Sequence, residues 1–127
     1  MVRFCLGILI SACFLSGAGA QGLSGQDLAN MCEKRFPNNI NAHGDRMFCA
    51  GFINGIISYA SLVRRGIDRP HGAEVVKYLV PCIPNDIETA EAKETLLKYL
   101  NENPKKRIQP ALFTTTEAFK RAYPCIE

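Results

Sequence analysis

The sequence has no tryptophan, only two histidines and no Cys-x-x-Cys pair. Each absence removes a class of chemistry. Without Cys-x-x-Cys there is no thioredoxin-like redox pair. His43 and His71 share neither H-E-x-x-H nor H-x-x-H spacing, so no metal site is expected. Both fall in segments that read as exposed loops. No G-x-S-x-G nucleophile elbow is present. Charge of one sign is also lacking: 15 Lys and Arg stand against 12 Asp and Glu, a formal +3. So small and dispersed a charge does not make a nucleic-acid-binding face. Lys105-Lys106-Arg107 is a basic spot without the interleaved aromatics of a single-strand groove. Glu88, Glu91 and Glu94 share a segment with Lys93 and Lys98, the pattern of a solvated helix face and not of paired catalytic carboxylates. No cofactor-binding signature, repeat or long linker interrupts the chain. These absences point to a binding protein, not an enzyme.

What is present begins with an export signal. Arg3 supplies a positive start, Phe4 to Leu15 an apolar run too short to span a bilayer, and Ala18-Gly19-Ala20 an A-x-A cleavage site. Cleavage after Ala20 would leave a single domain, residues 21–127, in an oxidising compartment outside the cytoplasm. Ile10-Ser11-Ala12-Cys13 imitates a lipobox, but Phe14-Leu15 continue the apolar run beyond it, which favours a cleaved signal over a lipoprotein. Cys5 and Cys13 leave with the signal. No second long apolar stretch is expected, so the mature chain should not engage a membrane.

The remaining pattern is helical, and the expected fold is all-α: a small disulfide-stapled bundle of about four helices. Ser24 and Asp27 read as an N-cap and its short capping-box partner, opening a helix from Gly25 to about Phe36, with Leu23 and Leu28 as a hydrophobic staple. Its inward stripe is Leu28, Met31, Cys32 and Arg35 or Phe36. A second helix is expected from about Asp45 to Arg65, with Phe48, Cys49, Phe52, Ile53, Ile56, Ala60 and Val63 on one buried face. Gly51 and Gly55 permit close packing of another backbone, within the chain or across a dimer seam. Gly66 ends the helix. Residues 66–84 are irregular, and Pro81 and Pro84 forbid a helix around Cys82. A third helix is expected from about Ile87 to Glu102, capped by Asn85 or Asp86, with Ala92, Leu96, Tyr99 and Leu100 inward. A fourth opens at Pro110 and ends before Pro124, with Leu112, Thr115 or Thr116, Phe119, Ala122 and Tyr123 inward.

Four mature cysteines, Cys32, Cys49, Cys82 and Cys125, allow three pairings. If successive helices form antiparallel hairpins, Cys32 and Cys49 lie at one closed end. Cys82 and Cys125 then lie at the open end of the other pair. The expected bonds are therefore Cys32–Cys49 and Cys82–Cys125, in keeping with an oxidising compartment.

Several motifs together resemble a known family. Cys49-Ala-Gly-Phe-Ile-Asn-Gly55, Cys82-Ile-Pro84, Tyr99-Leu100 followed by Pro104, Pro110-Ala111 and Tyr123-Pro124-Cys125 resemble the ordered motifs of the Rap/Tai immunity proteins of type VI secretion systems. The resemblance implies a small periplasmic helical protein, often a homodimer. Such a protein binds a peptidoglycan-cleaving amidase effector and blocks its active-site groove. The irregular loop after the second helix is where partner contacts would be sought: Arg64, Arg65, Asp68, Arg69 and His71. The competing expectation is a small periplasmic chaperone-like module that exposes apolar surface in acid and has no toxin target.

Overall fold

The computed structural model describes residues 22–33, 40–67 and 79–125. The expected signal segment and cleavage site lie outside these residues, as do Arg35, Phe36, Asp68, Arg69 and His71. Among the described residues there are four α-helices and no strand: α1 (Gly25–Glu33), α2 (Ile40–Ile67), α3 (Thr89–Glu102) and α4 (Ala111–Ala122), with a 3-10 turn over Pro104–Ile108 joining the last two.

Helix α1 is short, yet it touches all three other helices and the 3-10 turn. Its start is fixed by the expected reciprocal cap. The Asp27 amide donates to Ser24 Oγ at 3.1 Å, and Asp27 Oδ2 accepts from both the Ser24 amide and hydroxyl. Leu23 packs against the core that contains Leu28, which completes the staple. The chain entering α1 is also laced to the chain entering α4. Gly25 N–H donates to Gln109 O at 2.8 Å, and Ala111 N–H donates to Leu23 O at 2.7 Å. Gly25 suits this junction, since a Cβ there would lie 3.2 Å from the Lys106 carbonyl and 3.3 Å from that of Arg107, a tight fit to backbone.

Buried Leu28, Ala29, Cys32, Ile53, Ala60, Ile83, Leu96, Leu100 and Phe119 form the centre of the core. On α1, Ala29 takes the buried place expected of Met31, which is half-buried. On α3 the inward set is the one the spacing indicates: Ala92, Leu96, Tyr99 and Leu100. Its start is later than expected. Glu88 occupies the cap position without a side-chain bond, and Thr89 donates its hydroxyl to Asn54 Oδ1 at 2.7 Å, fastening α3 to α2. Asn103 closes α3, its amide and side chain both donating to Tyr99 O at 2.9 Å.

On α4 the buried face is rotated from the expected one. Thr114, Thr115, Ala118 and Phe119 are buried, whereas Leu112 and Ala122 are exposed. The threonines fit a dry face because each hydroxyl is satisfied within its own helix. Thr114, Thr115 and Thr116 donate to the carbonyls of Pro110, Ala111 and Leu112, four residues back.

Both disulfides are those expected. Cys32–Cys49 ties α1 to α2 and Cys82–Cys125 ties the extended segment before α3 to the end of α4, with Cα–Cα distances of 5.3 and 5.0 Å. The second bond holds a buried strip. Val80, Pro81 and Ile83 are sealed in the core, and Cys82 N–H donates to Tyr123 O at 3.0 Å.

The basic spot Lys105-Lys106-Arg107 is largely turned inward. Lys106 Nζ bonds Glu117 at 2.9 Å. Arg107 donates to Leu100 O at the end of α3 and to Gln26 on α1, each at 3.3 Å, and approaches Glu33 at 3.6 Å. Its guanidinium thus joins three elements.

Candidate partner-binding surface

Helix α2 is built differently from the others. It is 28 residues long, about 42 Å at 1.5 Å per residue. Between Arg46 and Arg64 no residue carries a charge. Cys49, Ile53, Ile56 and Ala60 face the core. The opposite side is open: Met47, Phe48, Gly51, Gly55, Tyr59 and Leu62 are all exposed. Phe48 was expected inward, but it is 48% exposed and stacks on the half-buried Phe52, with ring centroids 6.2 Å apart. Leu62 is 70% exposed. Among the described residues Gly51 and Gly55 do not serve close packing, because a methyl group at either would meet nothing within 4 Å. The two glycines instead form a shallow notch flanked by Phe48 and Tyr59.

By length and composition Ile40–Gly66 could cross a membrane, with a mean hydropathy of 1.3 over its most apolar window. The expectation of no second long apolar stretch is corrected by this helix. An amphipathic surface helix carries charge on its outer side, and α2 does not. Its disulfide to α1 and its core-facing residues make it part of the bundle, so the outer face is left as uncovered apolar surface of the kind that marks interaction sites.

Helix α2 also begins earlier than expected, at Ile40, which places His43 on its exposed first turn and not in a loop. It passes through Gly66 to Ile67 before the described residues end.

The C-terminal end of α2 carries the two candidate contact residues that lie within the described structure. Arg64 and Arg65 line a groove of about 370 Å³, with Ser58 and Ser61 on the same helix and Ile83 and Pro84 opposite. The half-buried Arg64 donates from Nη2 to Ile83 O at 2.7 Å. The exposed Arg65 donates from Nε and Nη2 to Ser61 Oγ at 3.2 and 2.8 Å. The structure therefore brings Arg64 and Arg65 together at one groove.

A second apolar patch has no signal in the sequence pattern. Ile108, Leu112 and Phe113 project from the 3-10 turn and the start of α4, with Ile108 85% exposed. Beside it, Lys106 sits 5.9 Å from the Phe113 ring centre. The Lys106 hydrogen bond holds the Glu117 carboxyl below its usual range, and Glu117 in turn raises Lys106. Burial, then the hydrogen bond to Glu117, pushes the Tyr99 phenol up. These shifts belong to an ion pair that locks the turn onto α4. Among the described residues no group of three or more His, Cys, Asp and Glu side chains is placed to hold a metal ion.

The arrangement offers shape and charge to a partner through a long bare helix, a paired-arginine groove and an apolar knob, each on a covalently stapled frame. A protein-family model described as Rap1a immunity proteins matches residues 24–125. No curated protein and no solved structure matches the chain.

Proposed function

The chain belongs to the family of Rap1a immunity proteins, and from that premise we propose that it protects the periplasm by binding and blocking a peptidoglycan-cleaving amidase effector. Membership makes it a type VI secretion immunity protein, which implies a protein effector as its partner. The observation that carries the reading is the match over nearly all of the helical, twice-stapled domain. Export by a signal cleaved after Ala20 fits the two disulfides, which persist in oxidising compartments.

Inhibition of this kind needs no chemistry from the inhibitor. A preorganised surface that fills a cleft excludes substrate, and the crosslinks lower the entropy that surface loses on docking. The end of α2 and the residues that follow it in sequence, with Arg64, Arg65, Asp68, Arg69 and His71, form the proposed effector contact. The chain is proposed to act as a homodimer. The uncharged outer face of α2, notched at Gly51 and Gly55, supports that reading, because two such faces can cross with backbones close together.

The test is periplasmic expression of the candidate amidase in a bacterial host, alone and with this protein. Protection from lysis that depends on this protein is expected. Equal lysis in both cultures would defeat the proposal.

A further inference from the structure

Among the described residues, the groove at the end of α2 holds charged donors and no charged acceptor. Arg64 gives one nitrogen to Ile83 O, while its Nε is buried with no hydrogen-bond partner. Arg65 aims two nitrogens at the single oxygen of Ser61, a neutral acceptor that leaves donor capacity on the guanidinium. No Asp or Glu lines the groove among the described residues. Two guanidinium groups and two serine hydroxyls line the groove with no carboxylate among the described residues, and a carboxylate is the group whose planar geometry the guanidinium matches best.

The rest of the groove indicates where that carboxylate comes from. About 370 Å³ is far more than one small ion fills, and Ile57, Leu62, Ile83 and Pro84 give it apolar walls. Such walls suit the methylene stem of a side chain and an apolar neighbour. We propose that this groove is the receptor for an Asp or Glu side chain presented by the bound effector. The inference rests on the reading that the partner is a protein. The arginine groove then selects an acidic anchor on the partner. Arg64 also braces Ile83, next to the crosslinked Cys82, so the groove is held open by the same strip that the second disulfide pins.

The test follows the side-chain Nε–H resonances of Arg64 and Arg65 in the oxidised full-length mature protein. The probes are N-acetyl-Leu-Glu-Leu-amide, its Gln twin and inorganic phosphate. The glutamyl peptide is expected to shift both resonances saturably at millimolar concentration. The Gln twin, and the glutamyl peptide with Arg65→Ala, are expected to bind at least tenfold more weakly. Equal binding of the two peptides, no saturable shift, or indifference to Arg65→Ala would overturn the proposal. Phosphate binding tighter than the glutamyl peptide would also overturn it, by making the groove a small-ion site. The lysis assay separates this inference from the one beneath it. A glutamate-selective shift without protection leaves the groove standing and defeats the amidase reading. Protection without a shift does the reverse.

Discussion

Removing the Cys82–Cys125 bond by the paired substitution Cys82→Ala and Cys125→Ala gives a direct measure of what the crosslinks contribute. The two residues lie 43 positions apart. Closing a loop of that size in the unfolded chain costs about 4 kcal/mol in conformational entropy, against about 3 kcal/mol for the 17 positions between Cys32 and Cys49. Both Cys82 and Cys125 are only half-buried, so the alanines leave little cavity and the loss is mostly the loop term. For a small domain whose whole stability is about 5–15 kcal/mol, that is a large fraction. It corresponds to a fall in Tm of roughly 20 °C. Urea unfolding followed by circular dichroism, oxidised wild type against the double variant, reads the difference. A loss below about 1 kcal/mol would refute the reasoning. It would mean that burial of Val80, Pro81 and Ile83 holds the strip without help from the covalent bond.

Three further outcomes follow from named contacts. Gly25→Ala should cost about 1–3 kcal/mol in the same unfolding assay, because the new methyl presses on the backbone of the 3-10 turn; an unchanged midpoint would show that the turn yields freely. The Asp27 carboxyl is held low by its bonds from Ser24 and the Glu117 carboxyl by Lys106. A lowered folded-state value contributes stability above the ordinary carboxylate range that is lost as pH falls through the folded value. Tm should therefore drop below about pH 4, and less steeply in an Asp27→Asn, Glu117→Gln variant. Parallel acid profiles for the two proteins would contradict this. Gly51→Glu should convert a homodimer to monomer in sedimentation velocity without lowering Tm, since the position is open in the single chain. A wild type that is already monomeric, or a variant still dimeric, would remove α2 as the seam.

Much of the fold was legible because local chemistry and global packing agree. Ser24, Asp27 and Leu23 announce the start of α1, the spacing of Ala92, Leu96, Tyr99 and Leu100 names the buried face of α3, and hairpin geometry chooses both disulfides. The misreadings have physical causes. Helix α2 carries large apolar residues on both its inner and outer faces, so periodicity could not separate Cys49, which is buried, from Phe48, which is not. Its first turns, before Asp45, hold Asn41 and Gly44, weak helix formers that packing overrides. On α4 the threonines hide their hydroxyls against their own backbone, which lets Thr114 and Thr115 enter the core and leaves Leu112 outside. Of the candidate contact residues, Arg64 and Arg65 meet at one groove, but no linear pattern foretold that Ile83 would form its far wall. The run without charge from Met47 to Val63 was the available signal for the bare face of α2. It is visible in the sequence once one asks what covers such a helix.

The central claim is that this protein acts by occupying its partner's surface and performs no reaction on it. The most direct measurement titrates the purified, oxidised protein into a cell-wall digestion assay with the amidase proposed as its target. The account predicts inhibition that is complete at a fixed stoichiometric ratio, with amidase of unchanged mass and full activity recovered on dissociation. Inactivation by far less than one equivalent, or recovery of a cleaved or modified amidase, would contradict it.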